Sequence, residues 1–173
     1  MRITRTSLEG RAKSLTVVMG FDFPDDIYYL PGRNSWVSVV ENKTRIGITS
    51  FGQKVLGEVK RVDKSPLARR MVSGYPAVVI ESATAIGFLF VPIACRTLVI
   101  NPDVVQSPSL VNADPYRSGY IADVDPVSLD EDLANLKFGR DILPEASIQV
   151  ESFGSRSTTG QSRGMIGRGC CGG

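Results

Sequence analysis

The last four residues of the chain, Cys170-Cys171-Gly172-Gly173, are the ones whose types and order could carry chemistry. ATP-dependent activation of a terminal carboxylate requires that group to pass through a narrow channel, and two residues without Cβ pass where others would clash. An acyl-adenylate formed there can accept sulfide and become a thiocarboxylate. Gly172 and Gly173 therefore read as the working end of a sulfur carrier, served by an adenylating, E1-like enzyme and a sulfur donor or acceptor enzyme. The thiols of Cys170 and Cys171 offer a second route, the receipt and relay of persulfide sulfur. Neighbouring cysteines close into a disulfide only with strain, which disfavours plain dithiol cycling. Prenylation ranks below both, because Cys171-Gly172-Gly173 lacks the aliphatic residues of the usual signal.

Little else in the chain is equipped for catalysis. The 173 residues include no histidine, which removes imidazole bases, Ser-His-Asp triads and the commonest metal ligand together. Cys95 is isolated from the terminal pair, so neither a spaced zinc-ligand set nor a disulfide framework is present. Cys95 reads as a buried structural thiol, Asp130, Glu131 and Asp132 as the acidic start of a helix, Asp25 and Asp26 as a turn, and Arg69-Arg70 as a solvated basic pair. The expectation is a non-enzymatic protein with no catalytic residue and no metal.

The elements that must position such an end are short and β-rich. Seventeen glycines and ten prolines punctuate the apolar runs, and the composition, 42% hydrophobic and 22% charged, can bury one sizeable core. A net charge of +2 argues against nucleic acid or membrane as partner. No apolar run approaches the roughly 20 residues of a membrane span, and no secretory signal opens the chain, so a cytoplasmic protein is expected.

Residues 1–14, with Arg2, Arg5, Arg11 and Lys13 against Glu9, read as a flexible N-terminal arm, a targeting segment being the alternative. Leu15 begins the folded part. Phe21 to Pro31 reads as an extended lead-in, 35–49 as a hairpin turning at Glu41-Asn42-Lys43, and 50–57 as a helix capped by Ser50 and stopped by Gly57. Strands are expected at 58–62, 77–80, 87–91, 97–100 and 120–124. A helical turn is expected at 108–111, and a helix at 128–136 with Ser128 as cap and Leu129, Leu133 and Leu136 on its buried face. Beyond Val150 the Ser, Thr, Gly and Arg content predicts a flexible basic tail over 151–173.

Three stretches together are specific: Trp36-Val37 followed by Arg45-Ile46-Gly47-Ile48-Thr49-Ser50-Phe51-Gly52-Gln53; Val79-Ile80-Glu81-Ser82; and Asn112-Ala113-Asp114-Pro115-Tyr116-Arg117-Ser118-Gly119-Tyr120. On these the chain, from about Phe21 to Gly139, resembles the glycine cleavage system H-protein family. The resemblance implies a mainly β fold, the barrel-sandwich hybrid of lipoyl domains, with short helices, a C-terminal helix and flexible termini, over residues 15–150. It also implies a lipoyl-lysine at a hairpin tip, after Glu-Ser-x. Here that position is Thr84, between Ala83 and Ala85, and the nearest lysines in sequence are Lys64 and Lys137. A threonine hydroxyl supplies neither the amine nor the long arm, so no lipoate is expected, and covalent sulfur at Gly173 stands in its place. The alternative is a degenerate H-protein that binds glycine-cleavage or lipoate-linked enzymes as an interaction or regulatory module. Cys95 falls where the family usually has a turn glycine, which predicts a distorted turn.

Overall fold

The computed structural model describes residues 14–66 and 71–158. The N-terminal ribbon pairs β1 (Leu15–Val18) with β2 (Phe21–Pro24), and the segment read as an extended lead-in continues through a turn at Asp25-Asp26 into β3 (Tyr28–Leu30). The predicted hairpin forms as β4 (Ser35–Val40) and β5 (Lys43–Ile48), with Glu41 at φ +55° in its turn. Helix α1 (Ser50–Leu56) follows, then β6 (Val59–Lys64), β7 (Pro76–Ser82), β8 (Ile86–Phe90) and β9 (Cys95–Ile100). Two short helices, α2 (Pro102–Gln106) and α3 (Leu110–Ala113), lead to β10 (Ala122–Pro126). Helix α4 (Leu129–Leu133), the two-residue strand β11 (Lys137–Phe138), a 3-10 turn (Gly139–Ile142) and α5 (Leu143–Thr158) complete the order.

The strands form two main antiparallel sheets. One is six-stranded, in the order β11-β3-β4-β5-β10-β9, and the other is three-stranded, β6-β7-β8. Their inward rows share one core: Val37, Ile46 and Val124 from the first meet Val62, Val78, Ile80 and Leu89 from the second. Alternation explains this, since residues two apart on a strand face the same side. The other face of β3 and β4 carries a second core of Phe23, Tyr29, Trp36 and Phe51, closed by Ile142, Ala146 and Val150. This is the mainly β, two-sheet architecture that the resemblance implied.

The sheets differ at their edges. β6 carries four charged residues out of six, which protects an edge against pairing with other chains. β8 carries none, and its Ile86 and Phe88 are exposed.

Four expectations need correction. The tail expected from residue 151 starts as helix, because α5 runs to Thr158. Ala146 and Val150 are buried, and Phe153 makes an edge-on contact with Phe51, centroids 5.8 Å apart. These positions and Leu143 recur at spacings of three and four, one helical stripe. The rest of the tail, with Cys170, Cys171, Gly172 and Gly173, lies outside the described residues, as do residues 1–13 and the Arg69-Arg70 pair.

The cap of α1 is Thr49, whose Oγ1 accepts from Gly52 N at 3.0 Å, while the hydroxyl of Ser50 donates to Asp22 O. Ser128 makes no side-chain cap to α4; of the three acids there, Asp132 instead accepts from Ala94 N at 2.7 Å, tying the helix to the loop before β9. The late strand starts at Ala122 rather than Tyr120. Cys95 is buried, and the register of β9 and β10 shifts where Cys95 meets Pro126.

Candidate functional site: a hairpin tip without an amine

The β7–β8 hairpin turns through Ser82, Ala83, Thr84 and Ala85. Ser82 organises the turn: its Oγ accepts from Ala85 N at 2.9 Å and Thr84 N at 3.3 Å and donates to Ala85 O at 3.0 Å. Serine and threonine hydroxyls close such turns by satisfying nearby backbone groups. Thr84, at the crest, is exposed. Glu81 sits one residue before the turn on β7, opposite Arg61 of β6 and Ile86 of β8. Thus Thr84 occupies the tip of the hairpin, where the sequence placed it, and no lysine lies between Ser82 and Ala85.

The tip is latched to the end of α1. Ala83 N donates to Glu58 O at 2.9 Å, and Gly57, the helix stop at φ +88°, lies beside Thr84, a Cβ there being in ordinary contact with Thr84 Oγ1 at 3.4 Å. Asn112 fixes this junction from α3. Its Nδ2 donates to Gln53 Oε1 at 2.6 Å and to Gly57 O at 3.0 Å, and its Oδ1 accepts from Val59 N at 2.8 Å. One side chain thus satisfies the helix end and the first residue of β6, which answers the usual orphaning of helix-terminal groups.

The other motif residues also have structural duties. Trp36 Nε1 donates to Ile48 O at 2.9 Å, and its ring lies over Gly47, where a Cβ would come within 2.5 Å. Tyr116 Oη accepts from Ser50 N and donates to Asp22 O, joining the loop after α3 to α1 and the ribbon. Burial raises the Tyr116 pKa to about 12, so it stays a neutral hydroxyl. Gly119 passes so near the carbonyl of Leu110 that a side chain cannot fit. Burial likewise raises the Cys95 thiol to about 11, with Asp125 adding to the effect, which suits a structural thiol.

Among the described residues no group of three His, Cys, Asp or Glu could hold a metal ion, and no helix is long and apolar enough to cross a membrane. The structure therefore brings Glu81, Ser82, Thr84, Gly57 and Asn112 together at one end of the three-stranded sheet. The sequence had not assigned Asn112 this role; its only signal was a place in the third motif.

The comparisons agree with this geometry. The profile of the glycine cleavage H-protein family matches residues 27–143. The chain is 34% identical over 118 residues to the glycine cleavage system H protein of Mycolicibacterium smegmatis, covering 66% of this chain and 89% of that one. It is 32% identical over 125 residues to a probable glycine cleavage system H protein of Haloarcula marismortui, covering 71% of this chain and 98% of the relative. The fold matches a crystal structure of the H protein from Mycobacterium marinum with TM-score 0.53 and 24% identity, over 61% of this chain and 87% of that one. The chain belongs to the glycine cleavage H-protein family.

Proposed function

We propose that this chain is a non-enzymatic member of the family that works without a lipoyl group, as an interaction or regulatory module for glycine-cleavage or lipoate-linked enzymes. The observation that supports it is Thr84 at the exposed crest of the hairpin. A lipoyl amide forms by acylation of a primary amine, and a hydroxyl cannot supply that bond. The latch around the tip is nonetheless intact, from Ala83 N on Glu58 O to the three bonds of Asn112. A scaffold kept in shape while its cargo position is blank is suited to docking.

The test supplies a lipoate ligase, lipoate and ATP, and reads intact mass. The unaltered chain stays unmodified, and Thr84→Lys gains one lipoyl group because the surrounding hairpin is what the ligase meets. Lipoyl mass on the unaltered chain overturns the reading.

Cys170-Cys171-Gly172-Gly173 favours a second reading, a sulfur carrier, which requires Gly173 to be the free carboxyl end in the cell. An adenylating enzyme joins the Gly173 carboxylate to AMP and releases pyrophosphate. The outer sulfur of a persulfide on the donor enzyme then displaces AMP to give an acyl persulfide, and a second thiol of that enzyme attacks the donor sulfur, releasing the thiocarboxylate and leaving a disulfide on the donor. Protein isolated from its native host would then be about 16 Da heavier, oxygen having been replaced by sulfur. Persulfide held on Cys170 or Cys171 would add about 32 Da per sulfur. A native mass with neither increment leaves the docking module as the function.

A further inference from the structure

On the outer face of the six-stranded sheet, away from the hairpin tip, a cleft of about 390 Å³ lies between β4, β5, α2 and the loop after α3. Arg45, Arg117 and Asp103 contribute its charges, and Trp36, Tyr116 and Tyr120 its rings. The volume falls within the roughly 300–1,000 Å³ of small-molecule sites, which are apolar clefts with a few converging polar groups.

Arg45 is held in position from two sides. Its guanidinium lies over the Tyr120 ring, 4.4 Å from the centroid, and its Nε faces Asp123 Oδ1 at 3.6 Å, an ion pair too long for a hydrogen bond. Tyr120 Oη in turn donates to Asp123 Oδ2 at 2.9 Å, so the carboxylate that steers Arg45 is itself anchored. Arg45 Nε and Asp123 Oδ1 are buried atoms without a hydrogen-bond partner. Neither the terminal N–H groups of Arg45 nor the guanidinium of Arg117 makes a hydrogen bond with any described residue. A stacked, braced arginine that leaves its fork unused is set up to receive an acceptor.

We infer that this cleft binds a small-molecule carboxylate, its oxygens taken by Arg45 and Arg117 and its apolar part lying against Trp36 and Tyr116. Asp123 and Asp103 together offset the two guanidinium charges, so recognition rests on the unused N–H groups of Arg45 and Arg117 rather than on net charge. A planar carboxylate matches the guanidinium fork with two parallel hydrogen bonds. The site is independent of whether the hairpin tip carries cargo.

The experiment titrates the full chain with benzoate and follows backbone amide shifts. Saturable shifts at Ser38, Ser118 and Tyr120 are expected, with a Kd in the millimolar range. Neutral methyl benzoate should give none. Arg117→Gln, at an exposed position, should keep the fold and weaken benzoate about tenfold, the loss of a charge-assisted pair. Arg45→Gln should weaken it at least as much. Absence of saturation, equal binding of the ester, or affinity unchanged in both variants overturns the site. Inorganic phosphate saturating the same amides more tightly overturns the carboxylate assignment in favour of a phosphate-bearing ligand.

Discussion

Replacing Asn112 by alanine tests how the hairpin tip is held to the scaffold. The change removes three hydrogen bonds at once, those to Gln53 Oε1, Gly57 O and from Val59 N. Gln53 and Gly57 are half-buried and can turn to water, so each loss costs about 0.5–1 kcal/mol. Val59 is only 2% exposed, and its N–H is left without a partner, which costs about 1–3 kcal/mol. Together the loss is about 2–5 kcal/mol. With a urea m-value of about 2 kcal/mol/M, the unfolding midpoint falls by about 1–2.5 M. Asn112→Asp keeps an acceptor for Val59 N but loses both donors, and should fall between the two. Amide exchange at Ala83, whose N–H rests on the neighbouring Glu58 O, should quicken in the alanine variant while exchange in β4 and β5 changes little. A midpoint shift below about 0.3 M for Asn112→Ala refutes the clamp.

The structure makes three further predictions. Asp25 accepts from Thr16 Oγ1 and Arg140 Nε, and its pKa is lowered, by the Ser14 side chain first and then by Thr16 and Arg140, against opposing desolvation. Its contribution is therefore present above the ordinary carboxylate range and lost as pH falls through the lowered folded value. The stability advantage of the unaltered chain over Asp25→Asn should shrink on acidification from neutrality towards pH 3, and an advantage that grows there contradicts the assignment. With Cys170 and Cys171 replaced by serine, Cys95 should resist a thiol reagent at pH 8 in the native state and react at once in denaturant. Val150→Asp places a charge in the core under α5, where Val150 is 5% exposed, and should destabilise the fold by more than about 3 kcal/mol in a urea titration.

Local pattern carried the reading furthest where elements are local. The 35–49 hairpin and the Gly57 stop depend on residues within a few places of one another, and the structure has them where the order of residues put them, while the crest position of Thr84 came from the resemblance to the family. The family motifs supplied the two-sheet architecture. Helix α5 was hidden by composition: its stripe of Leu143, Ala146, Val150 and Phe153 is interleaved with Pro144, Ser147 and Ser152, and the packing that fixes it comes from Phe51, about a hundred residues away. Ser128 was a sound local cap signal, yet its side chain makes no cap bond, and the helix is tied to the rest of the fold through Asp132 and Ala94 instead. Asn112 acts on residues 53 to 59 places away, and the arginine cleft draws on β4, β5, α2 and a loop. Neither has any periodicity that a single sequence would display.

The order β4-β5-β10-β9 within one sheet also sets the route by which the chain must fold. Ile46 pairs with Ala122 and Thr44 with Val124, so the chain leaves the sheet after β5, builds the three-stranded sheet, and returns to pair along the exposed side of the strand it left. Hairpins such as β4–β5 and β7–β8 close short loops and can form within microseconds. Joining β10 to β5 encloses a loop of nearly eighty residues, whose closure entropy must be met before the shared core returns anything. Refolding should therefore be slow for a chain this small, with the sheet of six completed late. Until then the inward faces of β5 and β7 stay open to water.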